Sequence, residues 1–242
     1  MSNRPVHVDY TTELSTRFGY LPTWPPNYPL QIGDVVRVED GAIGQVDTLA
    51  SLGVKVEVRR GKPARWEHSS SEGVSIKVKA DGKAEAGVAA ALDGGVEVTF
   101  ERRHAIYFRA EEAVVESIED KSALGAEILE RFRAGLWRDT DAVVTEVVRS
   151  RSTTVLIAGA AGARAELRGA VDAGAQAGGQ ATLLMSSHSG LHTHIVAMAQ
   201  LTPLFRAWGI RRKLFGATAG NVVMRDAADA DASWAELGLT AR

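Results

Sequence analysis

A chain of 242 residues, 45% apolar and 24% charged, has the composition of a globular protein with room for a substantial core. A formal net charge of −2 excludes nucleic-acid binding by bulk electrostatics, and the absence of cysteine excludes disulfides, thiolate metal sites and cysteine nucleophiles. No run approaches the roughly 20 apolar residues of a membrane-spanning helix, and the first residues lack the basic-then-apolar pattern of a secretion signal, so the expected location is cytoplasmic.

The first 17 residues are polar and show no clear apolar period. Residues 18–29 then interleave Phe18, Tyr20, Trp24 and Tyr28 with Pro22, Pro25, Pro26 and Pro29. Prolines at this density exclude helix and central strand and favour an extended path, laid over the surface by its rings. Residues 30–38 read as a short strand, Asp40-Gly41 as a turn, and residues 46–52 as a helical turn ended by Gly53. Residues 54–59 alternate Val54, Val56 and Val58 with charged neighbours, the pattern of a strand with one wet face. A polar loop over 61–71 follows, with Ser69-Ser70-Ser71 expected to be exposed.

Residues 72–108 carry the clearest pattern in the chain. Apolar residues fall on even positions through Val74, Ile76 and Val78, then Val88, Ala90 and Leu92, then Val96, Val98 and Phe100, and finally Ile106 and Phe108. Ser75, Lys77, Glu97 and Thr99 occupy odd positions. Period-2 alternation gives strands with one apolar and one polar face. Asp81-Gly82 and Gly94-Gly95 mark turns that need positive φ, so the stretch reads as an antiparallel meander.

The period changes after residue 110. Leu124, Ile128, Phe132 and Leu136 recur every four residues, which predicts an amphipathic helix capped by Ser122 and ended near Gly135. The acidic run before it, Glu111, Glu112, Glu116, Glu119 and Asp120, reads as a solvated face. Residues 142–148 and 153–158 are two more strands, 159–179 is rich in Ala and Gly, and 181–185 and 193–201 resume strand character until Pro203. Trp208, Arg211, Arg212, Lys213 and Phe215 form a basic-aromatic patch suited to anionic lipid headgroups. A polar tail, 226–242, carries a small apolar anchor of Trp234, Leu237 and Leu239.

Three constellations raise the question of chemistry. Gly159-Ala160-Ala161-Gly162 after a strand resembles the start of a dinucleotide site, but the three-glycine spacing fails and no acidic residue ends the later strand. His188, His192 and His194 include an i, i+2 pair on one strand face, as a zinc site needs, yet no carboxylate lies nearby in sequence. Ser187-His188-Ser189-Gly190 lacks the nucleophile-elbow spacing. The expectation is a protein with no catalytic residues, no cofactor and no metal. The expected fold is α+β, a twisted antiparallel sheet with long hairpins and one main amphipathic helix packed on it. One domain would span 1–225, followed by the short tail 226–242.

The order of meander, helix, strand at Ala142-Val143-Val144-Thr145-Glu146-Val147-Val148, small-residue hairpin and strand ending Gln200-Leu201 resembles the pore-forming domain of gasdermins, the bacterial type in particular, over residues 54–204. The resemblance implies two long hairpins, 72–108 and 141–185, that insert into membranes as a homo-oligomeric barrel after a protease releases a C-terminal inhibitory element. That element would here be the tail, and the chain has no cysteine of the kind lipidated in bacterial members. The hairpin apolar face would be Val74, Ile76, Val78, Val96, Val98 and Phe100. Such a protein would be cytoplasmic until activation moves it to the membrane. A non-enzymatic, self-assembling β-rich scaffold is the alternative.

Overall fold

The computed structural model describes residues 4–26, 28–39, 42–78, 95–170, 182–197, 201–212 and 232–236. Antiparallel strands dominate it, with two helices, an α+β composition. The chain divides into two compact units, each assembled from three separate stretches.

The first unit takes residues 1–28, 62–114 and 149–203. It opens with α1 (Val6–Phe18), a helix where no clear period was expected, although Val6, Tyr10, Leu14 and Phe18 recur every four residues. A polar stripe runs beside them. Asp9, Thr12, Glu13, Thr16 and Arg17 recur at three- and four-residue spacing, while Tyr10 and Leu14 are fully buried opposite them. Pro5 precedes the helix with extended ψ, and Gly19 ends it in the left-handed region at φ 68°. Phe18 packs against Trp66 and Phe108 at 5.3 and 5.5 Å, and Tyr10 against Trp24 at 5.6 Å, so the rings of the proline-rich stretch do pack. Within that stretch β1 (Leu21–Pro22) is a two-residue strand.

Two sheets face each other in this unit. One has the order β12-β11-β7-β6, built from β6 (Val74–Val78), β7 (Val96–Phe100), β11 (Arg164–Ala170) and β12 (Thr182–Ser189). The other pairs β5 (Ala64–Ser69) and β10 (Ser152–Ala158) with the first part of β8 (Ile106–Ile118), and β10 with β13 (Leu191–Ala197). Val96, Val98, Phe100, Ala165 and Leu167 from the first sheet meet Tyr107, Leu156 and Ala158 from the second in one apolar cluster.

Several expectations change here. The third strand of the meander, β8, leaves the sheet of β6 and β7 for the opposite one. The step follows His104, whose φ of 60° turns the chain and whose amide donates to the Ala158 carbonyl. Asp81-Gly82, Val88, Ala90 and Leu92 lie outside the described residues, while Gly95 has the expected positive φ, 89°. The polar loop expected at 61–71 contains β5, whose partly buried Trp66 packs on Phe18. Ser70 is 2% exposed rather than solvated, because its Oγ accepts from the Ile106 amide. The small-residue stretch after Gly159, read as part of a hairpin, holds β11. Pro203 does not end a strand but lies within β14 (Leu201–Arg212). It lacks an N–H to donate, and its carbonyl accepts from the Thr23 amide at 3.0 Å.

The second unit takes residues 29–61, 115–148 and 204–242. Strand β2 (Asp34–Glu39) lies between β3 (Ala42–Thr48) and β9 (Asp141–Ser150). Residues 46–48 are therefore strand rather than helical turn. Of the alternating 54–59 run only Val58 and Arg59 lie in a strand, β4 (Val58–Arg60), paired with the end of β8. Helix α2 (Lys121–Arg133) is capped by Asp120, not Ser122, through Asp120 Oδ1 accepting from the Ala123 amide at 2.8 Å. Gly135 follows at φ 73°, as expected of a helix end. Leu124 and Ile128 are buried among Val35, Leu49, Ile118 and Val143, with Phe132 partly buried beside them, while Leu136 is 72% exposed. A last strand, β15 (Ala232–Glu236), pairs with β14.

Candidate functional site

Of the predicted hairpins, 72–108 and 141–185, only the strands β6, β7, β11 and part of β12 share the four-stranded sheet of the first unit, whereas residues 106–108 and 141–158 belong to the other sheet. Val78 pairs with Val96, Val96 with Leu167, and Leu167 with Met185, so one row crosses all four strands. A second row runs Ile76, Val98, Ala165 and His188. Between them Lys77 pairs with Glu97 and Glu97 with Glu166, and beyond the second row Ser75 pairs with Thr99 and Thr99 with Arg164, all on the other face. The segments that join β6 to β7 and β11 to β12, residues 79–95 and 171–181, therefore leave the sheet at the same end. Val96, Val98 and Phe100 are buried at 2% exposure or less, and Val74 and Ile76 are partly buried against the same cluster. The side chain of Val78 is outside the described residues. The cover over this apolar face comes from Tyr107, Leu156, Leu191 and Val196 of the same unit.

The remaining predicted positions scatter. On β14, Phe205 and Ile210 are buried, and Trp208 is half-buried with Lys121 Nζ 5.8 Å from its ring centroid. Arg211 and Arg212 lie on β14 with their backbones opposite Ser233 and Ala232, and their side chains are not described. Lys213 and Phe215 lie outside the described residues, as do Leu237 and Leu239 of the tail. Trp234 sits on β15 opposite Ile210, so the described part of the tail borders β14. The acidic run is engaged rather than merely solvated: Glu112 pairs with Arg151 at 3.4 Å, Glu116 with Arg60 at 2.8 Å, and Glu111 with Arg109.

Gly159-Ala160-Ala161-Gly162 joins two strands, β10 and β11, with no helix N-terminus to meet a phosphate. A Cβ on Gly159 would come within 3.0 Å of the Gly190 carbonyl, so this glycine serves chain packing. His188 and His194 stack with ring centroids 4.3 Å apart, and His192 bonds Thr193 at 3.0 Å. Among the described residues no group of three or more His, Asp or Glu side chains is arranged to hold a metal.

Sequence reasoning missed a second constellation in the first unit, an open groove of about 1080 Å³ along the polar stripe of α1. Its other wall comes from the loops around Ser71 and His104. His68 Nε2 lies 2.8 Å from Glu13 Oε1, and His104 Nδ1 lies 2.7 Å from Asp9 Oδ2. Arg102 Nη2 approaches Glu13 Oε2 at 3.6 Å, and Arg4, Arg17 and Arg103 complete the basic lining. Burial pushes the Glu13 carboxyl up, but hydrogen bonds from His68 and Ser70 and the positive charges of His68 and Arg102 outweigh it, leaving the carboxyl below its ordinary range. A Cβ on Gly73 would come within 2.8 Å of Arg102 Nε, so glycine there leaves the guanidinium its place. The groove's partners are 55 and 95 residues apart in sequence, so only the polar period of α1 could have signalled it. No protein-family model and no curated protein matches the chain.

Proposed function

We propose that this chain is a non-enzymatic, gasdermin-like membrane pore-forming protein, cytoplasmic until activated, that inserts two β-hairpins as part of a homo-oligomer. The observation that carries the reading is the four-stranded sheet of the first unit, whose two hairpin connections leave at one end and whose strands have one apolar and one polar face. A membrane-crossing strand needs about 9–11 residues. The stretches 74–100 and 164–189 are each long enough for two such strands around a turn. In a barrel, the apolar face of Val74, Ile76, Val96, Val98 and Phe100 would meet lipid and the face of Ser75, Lys77, Glu97 and Thr99 would line the lumen. Every backbone group would then be paired within the closed sheet.

Activation on this reading needs removal of the tail by a protease, and Arg211, Arg212 and Lys213 would draw the protein to anionic lipid by about 1 kcal/mol per basic residue near the surface. The test is dye leakage from vesicles containing anionic lipid, using the chain without residues 226–242. Replacing residues 79–95 with Asn-Gly joins Val78 to Val96 by a two-residue turn, which suits their direct pairing. That variant should keep the fold by circular dichroism and lose leakage, because its strands no longer span the bilayer. Leakage from the shortened variant equal to that of its parent would overturn the reading. Ordered particles without leakage from either form would favour the scaffold.

A further inference from the structure

We propose that the groove along α1 is a binding site for a phosphorylated small molecule, a role separate from the hairpins and independent of the pore. The chain as a whole carries a net charge of −2, yet this groove concentrates Arg4, Arg17, Arg102 and Arg103. The carboxylates in its lining, Asp9 and Glu13, are both already bonded to imidazoles, at 2.7 and 2.8 Å. Four arginines against these two carboxylates leave the lining an excess of two positive charges before either imidazole is counted, which matches a phosphate monoester dianion.

The guanidiniums are poised rather than spent. Arg4, Arg17 and Arg103 have no carboxylate partner among the described residues, and Arg102 reaches Glu13 only at 3.6 Å. A guanidinium presents two parallel N–H groups that fit two phosphate oxygens, a geometry an ammonium cannot offer. Thr12, Thr16 and Ser71 add hydroxyl donors to the same lining. At about 1080 Å³ the groove exceeds what a bare ion needs and is of the size that accepts small organic ligands.

The backbone supplies a second, independent observation. Both loops of the far wall hold a non-glycine residue in the left-handed region, Glu72 at φ 54° beside Ser71, and His104 at φ 60°. Such conformations persist where the surroundings fix them, and they concentrate at ligand sites. His104 is held by the hydrogen bond its N–H donates to the Ala158 carbonyl, at 2.9 Å, and by Asp9, which places a buried imidazole at the groove wall. Asp9 and Glu13 are one helical turn apart, so the two imidazoles stand at successive turns of α1 with the arginines around them.

The test uses the full chain and isothermal titration with pyrophosphate, inorganic phosphate and sulfate, beside sedimentation with vesicles of phosphatidylcholine alone or with phosphatidic acid. Saturable binding of pyrophosphate at one site is expected, weakened at least tenfold in Arg17→Gln and in Arg103→Gln. Neither substitution breaks an ion pair among the described residues, so both variants should keep the parent melting temperature without ligand. Binding only to phosphatidic acid vesicles, lost in the same variants, would identify a headgroup as the source of the phosphate. No saturable binding to any probe, or binding unchanged in both variants, would overturn the proposal.

Discussion

At Glu13 two influences oppose each other, and the outcome fixes a pH response. Burial favours the neutral acid, while His68, Ser70 and Arg102 favour the carboxylate and prevail. An unfolded chain would take up this proton near pH ~4.3, the folded chain only at lower pH. The stabilisation is therefore fully present above that range and is lost as pH falls through the depressed folded value. Urea unfolding followed from pH 6 downward should show a steeper acid decline for the parent than for Glu13→Gln. Parallel declines would mean that the carboxyl is not held by these partners.

At the scale of elements, local chemistry decides where α2 begins. Asp120 Oδ1 holds the Ala123 amide, whereas Ser122 is already inside the first turn and exposed. Asp120→Ala is expected to cost about 0.5–2 kcal/mol, the usual value of an N-cap, and Ser122→Ala within about 0.5 kcal/mol, as for an exposed position without such a role. Denaturant titration of both distinguishes them, and equal costs would restore Ser122 as the cap. Strands β6, β7, β9 and β10 were legible in the sequence because burial forces apolar residues onto a face or through a whole strand. Strand β5 was not, since its residues are exposed or only partly buried and leave no such trace, and β4 was read only as the end of a longer alternating run. The alternating face of the proposed hairpins could be read from one stretch of chain. The groove could not, because hydrogen bonds such as that between Asp9 and His104 join residues that only the fold brings together.

For the whole molecule, the tail matters through the edge it occupies. Residues 208–212 of β14 pair with β15, and an edge strand left open offers its backbone to another chain. Removing residues 226–242 should convert a single small species into concentration-dependent oligomers in sedimentation velocity. Identical profiles with and without the tail would show that it does not govern assembly. The four-stranded sheet has a further consequence, one of parity. Its strands alternate in direction, so the outermost two, β6 and β12, run opposite ways. A copy placed head to tail, with its β6 beside the β12 of its neighbour, continues the alternation without a flaw, and identical joints of this kind form a ring where the rotation between copies closes. Any number of copies keeps the strand count even, as a closed antiparallel barrel of this kind requires. Direction alone thus sets no ring size. Single-channel recordings of such assemblies would show a ladder of conductances, each rung the addition of one copy and four strands.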